Sequence, residues 1–261
     1  MKQSQFYYLL RRGLFKGMSI VREGLVMFNK FTTAGLSFPA QGSAGFNGAS
    51  DYIDVATLPL SDFTNFTMSA WFYTETTNQG CVLGFGNSTT DTPISLIETR
   101  GDDVVRFSYR DDAGTLSVKD TGVFTKSIWN YVTAVKEGNN FSIYLNGSLA
   151  STSSTTTGAI TFDTFTIGVL KRTALANYFE DNLANVAIWN RALSSDEINS
   201  VMWKPVQALS ATESNGLQAW YSLDDIASPT ASLASMEQLA TDKNLIIENK
   251  AAITAAVNSL S

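Results

Sequence analysis

Short segments with alternating apolar and polar residues recur along this chain, and they constrain its fold more than any other feature. The clearest one covers residues 66–72, where Phe66, Met68, Ala70 and Phe72 would share one face of an extended strand. Comparable segments follow one another, separated by turn-forming residues and by no long helical pattern. This spacing predicts antiparallel sheets that pack face to face.

The predicted fold is therefore all-β, with an antiparallel two-sheet sandwich of about a dozen strands over residues 36–222. The dipeptide Asn146-Gly147 is the strongest hairpin signal, because both residues tolerate the positive φ angles that a tight hairpin turn requires. The predicted core residues are Phe66, Met68, Phe72, Phe107, Ile143, Leu145, Ile167, Val186 and Ile188.

Three phrases in a fixed order carry a family resemblance. They are residues 45–55 (GFNGASDYIDV) with 66–72, residues 129–132 (WNYV) running into 141–147, and residues 185–198, which begin NVAIWNRALS. Their order and spacing resemble the laminin-G-like family, whose members are concanavalin A-like jelly-roll sandwiches. The resemblance covers more than half of the chain. It implies binding at surfaces, with enzymatic activity in some branches only.

The end of the sandwich is less regular. Ser194 and Glu197 form a capping-box pattern, which predicts a short helix near residues 195–203. Residues 216–225 resemble the strand that usually opens a laminin-G-like domain, although here they follow the domain. They either close the sandwich or begin a truncated repeat. We favour closure, because too few residues remain for a second sandwich.

Residues 1–35 are predicted to form a basic arm. Residues 1–30 carry a balance of +5, whereas the remainder carries −11 of the net charge of −6. This asymmetry predicts an arm that attaches to an acidic partner, and a solvated terminal segment is the alternative. The candidate contact residues are Arg11, Arg12, Lys16 and Arg22.

Residues 223–261 are predicted to form a C-terminal helical tail. An apolar residue recurs there every seven positions, which is a helical period. Such a helix would dock on its own domain or pack against symmetry mates, and the second reading predicts a homo-oligomer, with a trimer favoured. The candidate contact residues are Leu239, Ile246, Ile253 and Leu260.

The composition excludes several classes of enzyme. The chain has no His, which removes the Ser-His-Asp triad, the Cys-His pair and His-ligated zinc. Cys81 is the single cysteine, so no intrachain disulfide forms. No Glu has an Asp two residues later, so the Glu-x-Asp-x-x-Glu strand motif of related glycoside hydrolases is absent. We therefore predict a non-enzymatic protein that requires no cofactor.

A calcium site is common in the family that the chain resembles. Calcium binds oxygen ligands from loops, and four pairs of acidic residues stand at predicted turns. Each pair is equally typical of ordinary turn chemistry. The pairs are Asp51/Asp54, Asp102/Asp103, Asp111/Asp112 and Glu180/Asp181.

Sugar binding usually needs an exposed aromatic ring beside hydrogen-bonding groups. Trp71, Trp129 and Trp189 lie within predicted strands and are expected to be core residues. Other aromatic residues lie near strand ends, where they can be exposed. The candidate ligand-binding residues among them are Tyr178, Phe179 and Trp203.

The functional hypothesis comes from a mismatch between domain type and targeting. The resemblance places such domains outside cells, yet the apolar run at residues 6–10 is too short for a signal peptide, and no run could span a membrane. We expect a capsid decoration or fibre protein of a phage, made in the host cytoplasm and carried on the virion surface. Its arm would contact the capsid or another virion protein, and its lectin-like domain would adhere to glycan or a cell surface.

Two alternatives stay open. One is a bacterial cell-surface or secreted module for carbohydrate binding and adhesion. The other is a carbohydrate-active enzyme with an unrecognised carboxylate pair. No motif suggests a nucleic-acid partner.

Overall fold

The computed structural model of the chain describes residues 42–154 and 158–223. The predicted arm and, beyond Leu223, the predicted tail lie outside the described residues. So do the contact residues placed there, which are Arg11, Arg12, Lys16, Arg22, Leu239, Ile246, Ile253 and Leu260.

Strands make up most of the described structure, and all paired strands run antiparallel. The strands are β1 (Ala44–Asn47), β2 (Ile53–Asp54), β3 (Asn65–Tyr73), β4 (Gly80–Asn87), β5 (Thr90–Thr99), β6 (Val104–Arg110), β7 (Leu116–Val123), β8 (Asn130–Glu137), β9 (Asn140–Leu145), β10 (Ser148–Ser154), β11 (Thr164–Ile167), β12 (Leu170–Lys171), β13 (Leu175–Ala176), β14 (Glu180–Trp189) and β15 (Leu217–Tyr221).

Two sheets form the sandwich. A seven-stranded sheet has the order β1-β14-β3-β8-β9-β10, with β15 paired to β14 beside β1. A six-stranded sheet has the order β2-β11-β4-β5-β6-β7, and β12 and β13 form a separate hairpin. The predicted two-sheet jelly-roll sandwich is confirmed. Because β15 pairs with β14, residues 217–221 close the seven-stranded sheet, as favoured from the sequence.

Apolar side chains from both sheets fill the space between them. Eight of the nine predicted core residues are buried, and Leu145 is half-buried against the same cluster. Aromatic rings dominate the centre, where the Phe85 ring lies 5.0 Å from Phe63 and 4.7 Å from Phe165, centroid to centroid. Burial of such large rings is the main favourable contribution to a sandwich core.

The outer face of the seven-stranded sheet has its own apolar cluster. Trp71, Tyr131 and Trp189 are buried there, rather than between the sheets. Residues 190–215 cover them, and this segment contains α1 (Ser195–Val201), a 3₁₀ turn (Val206–Ala208) and α2 (Ala211–Ser214). The predicted capping box is confirmed, because the Ser194 hydroxyl accepts from the backbone of Glu197. No helix within the described ranges is long and apolar enough to cross a membrane.

Hydrogen bonds fix this covering segment to the sheet. Trp71 Nε1 donates to the carbonyl of Met202 at 3.0 Å, and Trp189 Nε1 donates to the carbonyl of Glu213 at 2.8 Å. The Glu213 carboxylate accepts from Lys204 and Ser200. It also accepts from the backbone N–H of Ser210. The two tryptophans therefore attach the segment to the sheet at Met202 and Glu213, and the Glu213 carboxylate joins parts of the segment to one another.

The pKa of Glu213 reflects these contacts. Burial raises it, but the hydrogen bonds from Lys204, Ser200 and Ser210 outweigh burial and lower the pKa to about 2, from an ordinary 4.5. The folded state therefore prefers the ionised carboxylate. The resulting stabilisation is complete above the ordinary pKa and is lost as the pH falls through the folded value.

We predict that Glu213→Gln lowers the free energy of unfolding at pH 7 by about 1–3 kcal/mol, because the hydrogen bonds to a charged acceptor are lost. The difference from the wild type should close as the pH falls from 4.5 to about 2. Urea denaturation across this pH range measures both effects. Glu137→Gln, at an exposed position, is the matched control and should change little. A difference that persists unchanged at pH 2 would contradict the assignment.

Candidate functional site

The three predicted ligand-binding rings do not form one site. Trp203 is 43% exposed and packs on Trp71, with ring centroids 5.2 Å apart. Tyr178 is half-buried and contacts Tyr52 edge-on at 6.4 Å. These two rings have different neighbours, and ligand binding by either of them stays a prediction.

The expectation of an exposed Phe179 is wrong. Its side chain is 1% exposed and belongs to the core between the sheets, where it meets Phe46 edge-on at 6.3 Å. The backbone of Phe179 is also held, since its N–H donates to Gly168 at 2.8 Å and its carbonyl accepts from Gly48 at 3.0 Å. A ring enclosed in this way cannot contact a ligand in solution.

Several carboxylates of the acidic pairs that suggested calcium contact protein groups. Asp54 forms an ion pair with Lys171, and Asp103 forms one with Lys126. Within the described ranges, no group of three or more His, Cys, Asp and Glu side chains is placed to hold a metal ion. Calcium binding stays a prediction from the family resemblance.

The remaining pairs are equally engaged. Asp111 accepts from the backbone of Thr115 and of Gly158 at 2.8 and 2.7 Å, which explains its depressed pKa. Asp181 accepts from the backbone of Glu75 at 2.7 Å. These carboxylates organise turns.

The outer face of the six-stranded sheet is only partly covered. The β12–β13 hairpin lies over β4 and β11, where Leu170 packs with Cys81, Ile94 and Leu96. The hairpin is held by the Thr164 hydroxyl, which donates to the carbonyl of Lys171 at 3.1 Å. Beyond the hairpin, Leu116 and Val118 of β7 are 54% and 36% exposed.

Two arginines meet at the edge of this covered area. Arg110 ends β6 and points outward, and Arg172 lies at the turn between β12 and β13. Both guanidinium groups donate to the backbone carbonyl of Asp91, Arg172 at 3.1 Å. We call Arg110 and Arg172 the arginine pair.

The charges of the arginine pair are only partly compensated. The Nε atoms of Arg110 and Arg172 are both buried without a hydrogen-bond partner among the described residues. Among the residues that the structure describes, Asp91 is the one carboxylate that forms an ion pair with either arginine, at 4.0 Å from Arg172, and its side chain is 68% exposed. Burial lowers the pKa of Arg110, the charge of Arg172 lowers it further, and Asp91 opposes both. Two like charges are thus held together with incomplete compensation.

Such an arrangement suits an oxyanion. A guanidinium presents a planar fork of N–H donors that matches a carboxylate, and hydrogen bonds between charged partners are stronger than neutral ones. Most other cations of the described residues have a close carboxylate; Arg106, for example, holds Asp120 through two bonds of 2.7 and 2.8 Å. The arginine pair differs from them because its nearest carboxylate, that of Asp91, is 4.0 Å away and mostly exposed.

Sequence reasoning missed the arginine pair. Residues 110 and 172 are far apart in the chain, and they meet only because the hairpin crosses the outer face of the sheet. No spacing rule in the sequence connects the two positions.

The family assignment follows from a sequence comparison. A model of the concanavalin A-like lectin/glucanases superfamily matches residues 47–199, more than half of the chain. The chain belongs to this superfamily. The laminin-G-like resemblance is thereby confirmed. A comparison with curated protein sequences finds no match.

Solved structures of other proteins superpose on this chain. The CBM40 module of the Ruminococcus gnavus IT-sialidase, with α2,3-sialyllactose bound, has a TM-score of 0.54 and 16% identity, covering 62% of this chain and 96% of that one. A Bacteroides ovatus protein whose name proposes carbohydrate binding has a TM-score of 0.54 and 17% identity, covering 72% and 52%.

A sialidase structure also superposes. NanB sialidase from Streptococcus pneumoniae has a TM-score of 0.54 and 18% identity, covering 61% of this chain and 27% of that chain. At these identities the likeness to all three structures shows the fold alone.

We predict that Phe179→Ala lowers the free energy of unfolding by about 3–5 kcal/mol, because it leaves a cavity in the core. Tyr178→Ala, one residue away, should cost less, because Tyr178 is half-buried. Urea denaturation of both variants makes the comparison. Equal losses would contradict the placement of Phe179 in the core.

Proposed function

We propose that this domain is a non-catalytic, lectin-like module that binds an acidic glycan through the arginine pair. The observation that carries the proposal is the juxtaposition of the Arg110 and Arg172 guanidinium groups, near one exposed carboxylate and beside the exposed side chains of Leu116 and Val118. The structural neighbours support it, since one of them is a module with sialyllactose bound and another is named for carbohydrate binding. Sialyllactose carries a carboxylate, which is the chemistry that two guanidinium groups recognise.

The surface beside the arginine pair suits a sugar ring. Leu116 pairs with Arg110 in the strand register, and Val118 pairs with Ser108, so these side chains share the outer face. Exposed apolar side chains can cover the C–H face of a sugar while the arginines hold its carboxylate. Neutral sugars would gain the apolar contact only, and the arginine pair would then give specificity for acidic sugars.

The proposal is non-catalytic because glycoside hydrolysis needs two carboxyl groups on either side of the scissile bond. Among the described residues, Asp91 is the one carboxylate in contact with the arginine pair. A single carboxylate cannot serve as both the acid and the nucleophile.

We predict that α2,3-sialyllactose binds and that Arg110→Gln or Arg172→Gln weakens its binding about tenfold or more, since each change removes charged hydrogen bonds. Calorimetric titration measures the affinities, with lactose as the uncharged ligand. Arg106→Gln is the matched control: it removes one positive charge from the same face, but a guanidinium already satisfied by Asp120.

Two outcomes would contradict the proposal. One is equal affinity for sialyllactose and lactose, and the other is an equal loss in Arg106→Gln. Trp203→Ala should leave sialyllactose binding unchanged, and a loss there would instead support the Trp203 ring as the sugar platform. Release of free sialic acid during the titration would contradict the non-catalytic assignment.

We further propose that the domain acts on a virion surface, as a decoration or fibre protein, with the basic arm on the capsid or another virion protein. The charge asymmetry of the sequence supports this role, with +5 in residues 1–30 against −11 elsewhere. A bacterial cell-surface or secreted adhesion module is the second candidate location, and the glycan-binding face serves both.

We predict that deletion of residues 1–30 abolishes attachment to particles and that added salt weakens attachment of the full chain, because salt screens the attraction between opposite charges. Deletion of residues 232–261 should reduce a homo-oligomer, with a trimer expected, to monomers. Co-sedimentation and mass in solution measure these two effects. A monomeric full chain, with attachment unchanged by both deletions, would argue against this role.

A further inference from the structure

A polar cavity is lined by residues of both sheets. Its volume is about 410 Å³. Residues from the loop before β3, from β6, from β8 and from the β8–β9 turn line it, together with Gly158 and Ile160. The groups that matter for binding are Asp62, Tyr109 and Lys136.

Lys136 stands where the fold calls for an apolar residue. In the strand register it pairs with Phe66 on β3 and with Phe141 on β9, and both of those rings are in the core between the sheets. Lys136 is therefore directed inward, and it is 3% exposed. A lysine at such a position breaks the alternation that the rest of β8 obeys. Departures of this kind concentrate at functional sites.

The protein stabilises this ammonium group only in part. Lys136 Nζ donates to the carbonyls of Thr64 and Gly138 at 3.2 and 2.7 Å, and it lies 5.2 Å from the ring centroid of Tyr109. No carboxylate of the described residues comes within 4.0 Å of it. An ammonium group has three N–H donors, so one donor remains for a ligand.

Tyr109 supplies a second donor in the same cavity. Its ring is buried against Phe66 and Phe141, which fixes the position of the hydroxyl. Burial raises the pKa of Tyr109, and the charges of Asp111 and Asp112 add to this effect, so the phenol is protonated at neutral pH. Within the described residues, no hydrogen bond of this hydroxyl competes with a ligand.

We propose that this cavity binds a small carboxylate, which accepts hydrogen bonds from Lys136 Nζ and from the Tyr109 hydroxyl. The charge of the cavity selects a monoanion. Asp62 also lines it and is close enough for its charge to act on Lys136, so a dianion would be repelled. The site is separate from the arginine pair, because Tyr109 and Arg110 are successive residues of β6 that point to opposite faces of the sheet.

The competing explanation is structural, in which Lys136 only caps the end of the core. The two explanations differ in their effect on stability. If Lys136 is a structural cap, its removal should lower the stability of the fold. If it is an uncompensated buried charge, an apolar side chain should replace it without loss of stability. Lys136→Met separates them, because methionine keeps the length of the side chain and suits a core position.

The experiment measures thermal unfolding and NMR chemical shifts of the full chain during titration with propionate. Propionamide is the uncharged probe and sulfate the dianion, at constant ionic strength. We expect propionate to raise Tm and to shift the Lys136 side-chain signals saturably, and the other two probes to do neither. Lys136→Met should unfold at or above the wild-type Tm and bind propionate about tenfold more weakly or worse, as should Tyr109→Phe.

Lys119→Met is the matched control, because Lys119 also lacks an ion pair within the described residues but lies on β7, away from the cavity lining. It should keep the response to propionate. The proposal is overturned if the wild type responds alike to propionate and propionamide, or if Lys136→Met retains the response. A lowered Tm for Lys136→Met, without any propionate response in the wild type, would establish the structural explanation instead.

Discussion

The burial of β14 on both of its faces is the constraint on which the rest of the structure depends. This strand pairs with β3 along one edge and with β1 and then β15 along the other. Val186 and Ile188 face the core between the sheets, while Ala187 and Trp189 face the outer cluster under residues 190–215. One strand therefore joins the start of the sandwich, its centre, its last strand and its covering segment.

A local distortion of β14 allows both of its faces to be buried. Asn185 has φ 47° and lies where the register of β14 against β3 shifts, between Ala184 and Ala187. The extra residue resets the alternation, so that both Leu183 and Val186 face inward although they are three positions apart. Asparagine tolerates this left-handed conformation better than most residues do.

Sequence patterns predicted what depends on local alternation and turn chemistry. The inward face of β3 follows directly from its period of two, and Asn146-Gly147 adopts positive φ angles of 50° and 79°, as the hairpin prediction requires. The patterns could not show that Trp71 is covered by a distant segment, or that Phe179 is enclosed by the loops of Gly48 and Gly168. They could not find the arginine pair or the environment of Lys136 either, because both arise from contacts between strands that are remote in sequence.

Because the domain carries a net negative charge, the binding of an anionic ligand would depend on nearby positive groups. Acidic residues outnumber basic ones in the described ranges, so the domain as a whole repels an acidic glycan at long range. Over about 8 Å, the screening length at physiological ionic strength, that repulsion fades and the two guanidinium groups dominate. Added salt then weakens the long-range repulsion and the local attraction together. The affinity for an acidic glycan should consequently depend only weakly on salt, in contrast to attachment through a basic arm, where attraction alone is screened.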